Sequence, residues 1–292
     1  MQKHILFKKL SLSRAIIGFF VLLLGLTTFY PFWYVMSVSL STYTAILDKT
    51  LLLYPVKISL DAYKYVLTSG DFLNISKNTF FVVVAGTILS LLTTIFFAYG
   101  LAKRVTGYRW ITYFIFFTLL FGGGMIPTYL VVRATGLLNS LWSLIIPKLA
   151  SAFNILLLRN FFLTIPSSLE ESASIDGAGT LTILFRIILP VAMPGIATIA
   201  LFYGVIYWNS FFDAVLYINS RSKWILQVLL RELLSQSSGD ILQGAAAVTG
   251  MSTTSYTIKM ATVMMASVPV LFIYPFIQRY FVKGVVMGAV KG

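Results

Sequence analysis

Long apolar runs alternate with short charged segments along this chain, and the runs are long enough to cross a lipid bilayer. A bilayer core of about 30 Å needs roughly 20 apolar helical residues. Five charge-free stretches contain such a segment, and a sixth is interrupted by Lys148. The pattern predicts an all-α integral membrane protein whose residues 1–292 form a single transmembrane domain. The six predicted spans lie at about 15–40, 78–102, 110–132, 140–163, 191–216 and 260–282.

The amino-acid composition argues against a soluble protein. Only 11% of the 292 residues are charged and 58% are hydrophobic, whereas a soluble domain carries about 25% charged residues. Cysteine is absent and the one histidine is His4, so we expect no metal site and no catalytic thiol or imidazole. The net charge of +13 fits cytoplasmic loops enriched in Lys and Arg, and we expect no binding to nucleic acid.

The distribution of basic residues predicts the orientation. Six crossings place both termini on the same side of the membrane. Twelve of the 22 Lys and Arg residues lie on that side in short segments, while the other ten are spread mainly along two longer segments. Because short loops determine orientation, we expect both termini in the cytoplasm of a bacterial cell, with the spans in its cytoplasmic membrane.

The third predicted span contains residues that weaken a helix. Gly122, Gly123 and Gly124 are followed by Pro127, and we expect a bend there. Close packing of helices through small residues and a gating hinge are both consistent with this sequence.

The loop between the fourth and fifth spans, about 166–190, predicts a helix–turn–helix protrusion. Ser167 with Glu170, or Ser168 with Glu171, fits a capping box at the start of a helix that runs to Ile175. Asp176 and Gly177 supply a turn. The second helix is predicted to be amphipathic, with its apolar side chains on one face: Leu181, Leu184, Phe185 and Ile188.

This loop resembles the EAA loop of binding-protein-dependent ABC importer permeases. The family pattern is E-A-A, three residues, Gly, nine residues, Ile, one residue and Leu-Pro. Its counterpart here is Glu171-Ser172-Ala173, Gly177, Ile187 and Leu189-Pro190, with identical spacing and one departure, Ser172 for alanine. Sugar importers of the maltose type share further features present here: Asp176, Ala178 and Phe185 in the loop, Trp208-Asn209 with Phe212, and the C-terminal run 281–292.

The resemblance implies a type I ABC importer permease, the membrane subunit of an ATP-driven importer for sugars, most similar to those for oligosaccharides. Such a subunit pairs with a second permease, docks on two ATPase subunits and receives sugar from an extracytoplasmic binding protein. This chain has no G-x-x-x-x-G-K-[ST] loop, so ATP and Mg²⁺ are expected on the ATPase subunits, and no enzymatic activity or cofactor on this one. The residues implied in coupling are Glu170, Glu171, Ser172, Ala173, Asp176, Gly177, Ala178, Phe185, Ile187, Leu189 and Pro190.

Aromatic and amide side chains in the spans are candidates for the sugar path. Trp208 and Phe212 are four residues apart, which predicts one helical face, with Asn209 beside it; Asn154 lies in the fourth span. The same side chains could instead pack the helix bundle. Lys148 is expected near the outer end of its span, either snorkelling or paired with Asp213.

Other functions stay open at this stage. An ABC permease for a solute other than a sugar has the same loop. A stand-alone carrier, a channel and a membrane enzyme are disfavoured, because the predicted spans are nearly free of acidic residues and the chain shows no cluster of catalytic side chains.

Overall fold

The computed structural model describes residues 12–42, 54–68, 71–235 and 256–272, and these are mostly helical. The one β contact among them is an isolated antiparallel bridge between Ser41 and Ile58. The helices are α1 (Leu12–Ser39), α2 (Asp61–Thr68), α3 (Asp71–Ala102), α4 (Tyr108–Leu120), α5 (Met125–Ala134), α6 (Ala152–Leu163), α7 (Ser167–Ile175), α8 (Thr180–Val191), α9 (Met193–Trp208), α10 (Phe211–Tyr217), α11 (Leu226–Ser235) and α12 (Tyr256–Phe272).

The described residues form two compact units. The first holds α1, α2 and most of α12. Within it, the hydroxyl groups of Ser39 and Tyr63 lie 2.7 Å apart, and those of Tyr34 and Tyr256 lie 3.3 Å apart. The second holds α3 to α10 and nearly all of α11. Every residue predicted for coupling or for the sugar path belongs to the second unit.

Helix α3 is the central element of the second unit and packs against α6 and α9. With 32 residues, it is about 48 Å long. Its buried side follows a four-residue repeat made mostly of small residues: Val82, Gly86, Ser90, Thr94 and Ala98. Small residues at such spacing allow neighbouring helix backbones to approach closely.

Two buried tyrosines fill this interface. The Tyr207 ring lies against Gly86, so close that an added Cβ would come within 2.7 Å of the ring. Its hydroxyl lies 2.7 Å from that of Ser90, and the Tyr203 hydroxyl lies 2.7 Å from that of Thr94. Because both tyrosines belong to α9, these contacts fix the register of α9 on α3.

The tyrosines also support irregular backbone ahead of α6. The Tyr207 hydroxyl donates to the carbonyl of Ile145 at 3.3 Å, and the amide of Ser151 donates to the Tyr203 hydroxyl at 3.2 Å. Polar backbone within a membrane needs internal partners of this kind. These contacts explain how a non-helical segment is tolerated between the 3₁₀ turn at Ile146–Lys148 and α6.

Two described helices, Ile16–Ser39 and Asp71–Ala102, are each long and apolar enough to cross a membrane. Up to five candidates result if each bent pair of helices counts as one span, and α12 is a shorter apolar helix. Residues 273–282 of the sixth predicted span, and the C-terminal run 281–292, lie outside the described residues.

The expected bend in the third span is confirmed. Helices α4 and α5 meet at 117°, and the chain between them is extended at Phe121, with Gly124 at φ +82°. Glycine tolerates this left-handed backbone without steric cost.

The fourth and fifth spans are interrupted where the sequence predicted continuous helices. Residues 141–148 form two 3₁₀ turns bent by 51° from α6. The predicted fifth span breaks at 209–210, because α9 ends at Trp208, before the predicted end at about 216. The 84° turn between α8 and α9 lies at the predicted start of this span.

A polar network holds the chain together at the Asp71 end of α3. Arg221 forms ion pairs with Asp71 at 2.9 Å and with Glu232 at 3.1 Å. The Asn78 side chain donates to the carbonyl of Ser222 at 2.8 Å. The loop around 221–224 is therefore fixed to the end of α3 opposite Lys103.

Candidate functional site

The loop between α6 and α9 folds as a helix–turn–helix, as predicted. Helix α7 ends at Ile175. The amide of Ala178 then donates to the carbonyl of Ala173 at 2.9 Å, and that of Gly177 donates to Ser174 at 3.1 Å. These two bonds are a Schellman motif, which needs a left-handed residue at its turn. Gly177 supplies it with φ +80°.

The predicted capping box is wrong. Pro166 occupies the N-cap of α7, and no side-chain capping bond is present there. Ser167 and Ser168 are already the first two helical residues. The reason is that proline pre-sets a backbone angle suited to the entry of a helix, so the chain becomes helical one residue earlier than a serine cap requires.

The predicted apolar face of the second helix is half right. Leu184 and Ile188 are buried, whereas Leu181 and Phe185 are 62% and 45% exposed on this chain. The helix contains a π turn at Leu184–Ile188. Side chains four residues apart still share a side, Leu184 with Ile188 on the buried side and Leu181 with Phe185 on the exposed side. Phe185 instead packs edge-on against Phe96 of α3, with ring centres 6.2 Å apart.

One side of α7 is anchored and the other is open. Ala173 is the one buried residue of α7, a helix whose residues are all described. It belongs to the core of the second unit. Glu171, Ser172, Asp176 and Gly177 are exposed. The apolar side chain of Ile175 is 86% exposed.

Glu170 lies on the anchored side. Its carboxylate forms an ion pair with Lys103, which directly follows α3. The Lys103 ammonium also lies 5.7 Å from the centre of the Tyr99 ring, within range of a cation–π contact. Burial lowers the pKa of Lys103, and the nearby Glu171 carboxylate opposes that shift.

The remaining loop residues of the motif connect it to the core. Ala178 and Ile187 are half-buried and pack against the main core cluster, as does Leu189. Pro190 is exposed and lies in the last turn of α8. The motif therefore has two parts. The exposed part, here called the tip, consists of Glu171, Ser172, Ile175, Asp176 and Gly177. The part that packs on the core, here called the root, consists of Ala173, Ala178, Ile187, Ile188 and Leu189.

The candidate sugar-path residues lie on two neighbouring helices. Trp208 is the last residue of α9 and is half-buried. Asn209 is exposed and donates to the carbonyl of Val205 at 3.0 Å. Phe212 belongs to α10 and is 57% exposed. The prediction that Trp208 and Phe212 share one helical face is wrong, because the helix breaks at residues 209–210 between them.

Asn154 has an unusual environment. It is only 2% exposed, in the first turn of α6. Its side-chain nitrogen has no hydrogen-bond partner among the described residues. An unpaired buried amide costs free energy of about 1–3 kcal/mol, so we expect a partner for Asn154 that is not among the described residues.

Lys148 forms an ion pair with Asp213, one of the two arrangements that the sequence left open. The Lys148 ammonium also donates to the Ser210 hydroxyl at 3.2 Å. The pair thus joins the 3₁₀ turn ahead of α6 to the break between α9 and α10. The side chains of Lys148 and Asp213 are 27% and 25% exposed.

The sequence did not reveal the packing roles of Tyr203, Tyr207 and Gly86. The two tyrosines count as apolar residues in a span, and their hydroxyl partners lie more than 100 residues away in the chain. The signal that the sequence did contain was the spacing of small residues along α3, which indicates a close helix contact but does not identify the partner.

No family model matches the chain. The polygalacturonan/rhamnogalacturonan transport system permease protein YtcP of Bacillus subtilis is 45% identical over 276 residues, which cover 94% of this chain and 96% of YtcP. Protein LplC of the same bacterium is 42% identical, over 92% of this chain and 91% of LplC.

A solved structure shares the fold. A chain in the crystal structure of a bacterial ABC transporter involved in the import of the acidic polysaccharide alginate is 36% identical, with a TM-score of 0.85. The match covers 93% of this chain and 98% of that chain. The resemblance drawn from the spaced loop motif is thereby confirmed, and the protein is an integral membrane protein. It belongs to the permease subunits of carbohydrate ABC importers.

Proposed function

We propose that this chain forms half of the translocation path for acidic oligosaccharides. The observation that carries the proposal is the chemistry named for its relatives. YtcP is described for polygalacturonan and rhamnogalacturonan, and the structural neighbour for alginate. These polysaccharides differ in their sugars but all carry carboxylate groups.

The partners follow from the family. A second permease subunit would complete the path, two ATPase subunits would bind ATP and Mg²⁺, and an extracytoplasmic binding protein would deliver the sugar. This chain would perform no catalysis and hold no cofactor. High affinity would belong to the binding protein, since a tight site within the membrane would slow release of the sugar.

The loop 166–190 would dock on an ATPase subunit. Its exposed tip supports this role, because Glu171, Ser172, Asp176 and Gly177 are accessible beside the apolar side chain of Ile175. Its root supports it too, since Ala173 and Ile188 are buried in the core. A displacement of the tip by an ATPase subunit would therefore be transmitted to the helices that line the proposed sugar path.

The proposed topology keeps six spans with both termini in the cytoplasm. The two long apolar helices, the three bent pairs and α12 supply segments for six crossings. In this arrangement the loop 166–190 is cytoplasmic and the segment around 221–224 is outside, which agrees with their positions at opposite ends of α3.

The sugar path would run beside the breaks in the fourth and fifth spans. Trp208 and Phe212 would stack on apolar faces of pyranose rings, while Asn154 and Asn209 would bond hydroxyl groups. The unpaired buried amide of Asn154 supports this assignment. Replacing Trp208 with Ala should reduce uptake about tenfold, the factor that corresponds to 1.4 kcal/mol, and leave subunit assembly normal. Loss of assembly instead would make Trp208 a packing residue.

The substrate class is tested with a matched pair of sugars. Cells with the complete importer, and isogenic cells that lack this chain, are given radiolabelled trigalacturonate or the same trimer with its carboxyl groups reduced. Only the first strain should accumulate trigalacturonate. Uptake of the reduced trimer should fall about tenfold or more, because a charge-assisted hydrogen bond contributes about 1.5–3 kcal/mol. Equal uptake of both trimers would contradict an acidic substrate.

A further inference from the structure

The two neighbouring glutamates of α7 have different surroundings. Glu171 is exposed, whereas the Glu170 side chain is 15% exposed and pairs with Lys103. Glu170 therefore faces the end of α3 and is inaccessible to a partner at the tip of the loop. Both glutamates border the cleft beside Lys103, and the charge of Glu171 acts on the Lys103 ammonium, but the direct ion pair is that of Glu170.

Few contacts fix the angle between α7 and α3. A cleft of about 730 Å³ lies between them, with Tyr99, Lys103 and Val105 on one side and Ser174 and Glu170 among the residues on the other. The buried anchor of α7 is Ala173, whose small side chain buries little apolar area. The open cleft leaves room for α7 to tilt about this anchor, and the ion pair between Lys103 and Glu170 crosses it.

We infer that Lys103 and Glu170 are positioning residues that make α7 and α3 move as one body. The inference rests on the proposed coupling role of the loop. When an ATPase subunit displaces α7, the ion pair passes the displacement to α3 instead of letting α7 tilt into the cleft. The pair contributes little to folding, because exposed ion pairs are weak, and acts through geometry.

Buried hydrogen bonds carry the movement further. Helix α3 is bonded to α9 through Ser90 with Tyr207 and Thr94 with Tyr203, each at 2.7 Å. A displacement of α3 therefore moves α9, whose last residue is Trp208. Packed and hydrogen-bonded elements are the physical carriers of coupling between distant sites, and here one such series leads from the loop to the proposed sugar path.

A double-mutant cycle tests the pair in the complete importer reconstituted in liposomes. The variants are Lys103→Ala, Glu170→Ala and the double variant, with Arg104→Ala as a control at the next, exposed cation. We measure sugar transported per ATP hydrolysed, with trigalacturonate and its binding protein. Each single variant should lower this ratio about fivefold, the most expected for one partly exposed pair. The double variant should lower it no further, because the two residues act through one contact.

Several outcomes would overturn the inference. Additive losses in the double variant would mean that the two residues act separately. A ratio unchanged from wild type in either single variant would mean that the pair transmits nothing. Loss of co-purifying ATPase subunits from Lys103→Ala would mean that the pair only folds the docking loop. Lys103→Arg keeps the charge and should restore coupling, so failure of this variant would also contradict a charge-based link.

A distance measurement tests the inference without any sugar. The chain contains no cysteine, so in an importer whose other subunits carry no reactive cysteine, spin labels at Val105→Cys and Ser174→Cys report the distance across the cleft. The intact pair should give one narrow distance distribution, the same with and without ATP and vanadate. Lys103→Ala should broaden it, and an equally broad distribution in the protein with Lys103 would overturn the inference.

The inference and the proposed function can fail separately. If a disrupted turn at Gly177 abolishes coupling while Lys103→Ala does not, the loop docks as proposed and only the positioning role is wrong. If neither change affects coupling, the docking role of the loop itself is wrong.

Discussion

At the scale of single residues, the environment of each loop residue separates contact from support. Glu171 and Ile175 are exposed at the tip, while Ala173 is buried between them in sequence. This alternation follows from the helical repeat, since residues two positions apart lie on different sides of α7. A small residue at 173 fits because it touches the core directly, whereas the departure from the family pattern, Ser172, is exposed and free of packing constraints.

Gly177 permits the sharpest test of the turn. A Cβ at this position would meet nothing within 4 Å, but the backbone has φ +80°. The penalty of a substitution is therefore conformational and not steric. Gly177→Val should disturb the turn strongly, since a β-branched residue is a genuine outlier in the left-handed region. Sugar-stimulated ATP hydrolysis and uptake should both fall sharply, with normal insertion measured by protein abundance in the membrane.

Gly177→Asn is the matched control, because asparagine visits the left-handed region with little penalty. It should keep most of the stimulated ATPase activity. If Gly177→Val transports as well as wild type, or if both variants fail equally, coupling does not depend on the left-handed turn.

At the scale of elements, the close contact between α3 and α9 depends on one glycine. An added Cβ at Gly86 would lie 2.7 Å from the Tyr207 ring, a large buried group bonded through its hydroxyl and unable to move freely. Gly86→Ala should therefore destabilise the unit by about 1–3 kcal/mol, the usual effect of overpacking. The measurement is the thermal unfolding midpoint of the purified importer in detergent.

Gly204→Ala is the control for the same interface. Its added Cβ would have Thr87 Oγ1 as nearest neighbour at 3.8 Å, an ordinary contact. Because alanine favours a helix over glycine by about 1 kcal/mol, the midpoint should stay equal or rise. A drop of the same size in both variants would show that the interface does not depend on the fit of Tyr207 over Gly86.

The elements also show how far the sequence predicts this fold. Apolar length predicted the two long helices α1 and α3, because crossing a bilayer core needs roughly 20 apolar helical residues, and the break at 122–124 was visible in its glycines. The π turn at Leu184–Ile188 lies just before Pro190, which cannot donate the helical hydrogen bond to residue 186. The break at 209–210 has no glycine or proline to mark it. A tertiary contact at this break, the bond from Lys148 to Ser210, is not contained in any local pattern.

The candidate site was predictable to a similar degree. The spaced motif located the loop and its turn, since Asp176-Gly177 has strong turn chemistry. The inward pairing of Glu170 was not predictable, because Lys103 lies in another connection of the chain. The prediction that Trp208 and Phe212 share one face assumed a helix that continues through both residues, but α9 ends at Trp208. The sequence therefore indicated the residue types of the sugar path and not their arrangement.

At the scale of the whole molecule, the length of α3 separates two polar regions of the chain. Its 32 residues extend over about 48 Å, more than the roughly 30 Å of a bilayer core. Lys103 and the coupling loop lie at one end, and the polar network around Arg221 lies at the other. If α3 crosses the membrane, these two polar regions must face different compartments.

Single cysteines in this cysteine-free chain test that arrangement. Ser222→Cys lies in an exposed turn at the Asp71 end, and Ser172→Cys lies on the exposed face of α7. In whole cells, a membrane-impermeant maleimide should label Ser222→Cys at once. Ser172→Cys should react only after permeabilisation, because twelve of the 22 basic residues on short segments favour a cytoplasmic loop. Co-expressed ATPase subunits should then protect it, because the loop 166–190 is proposed to dock on an ATPase subunit. Labelling of Ser172→Cys from outside would reverse the topology, and labelling undiminished by the ATPase subunits would place their contact elsewhere on the chain.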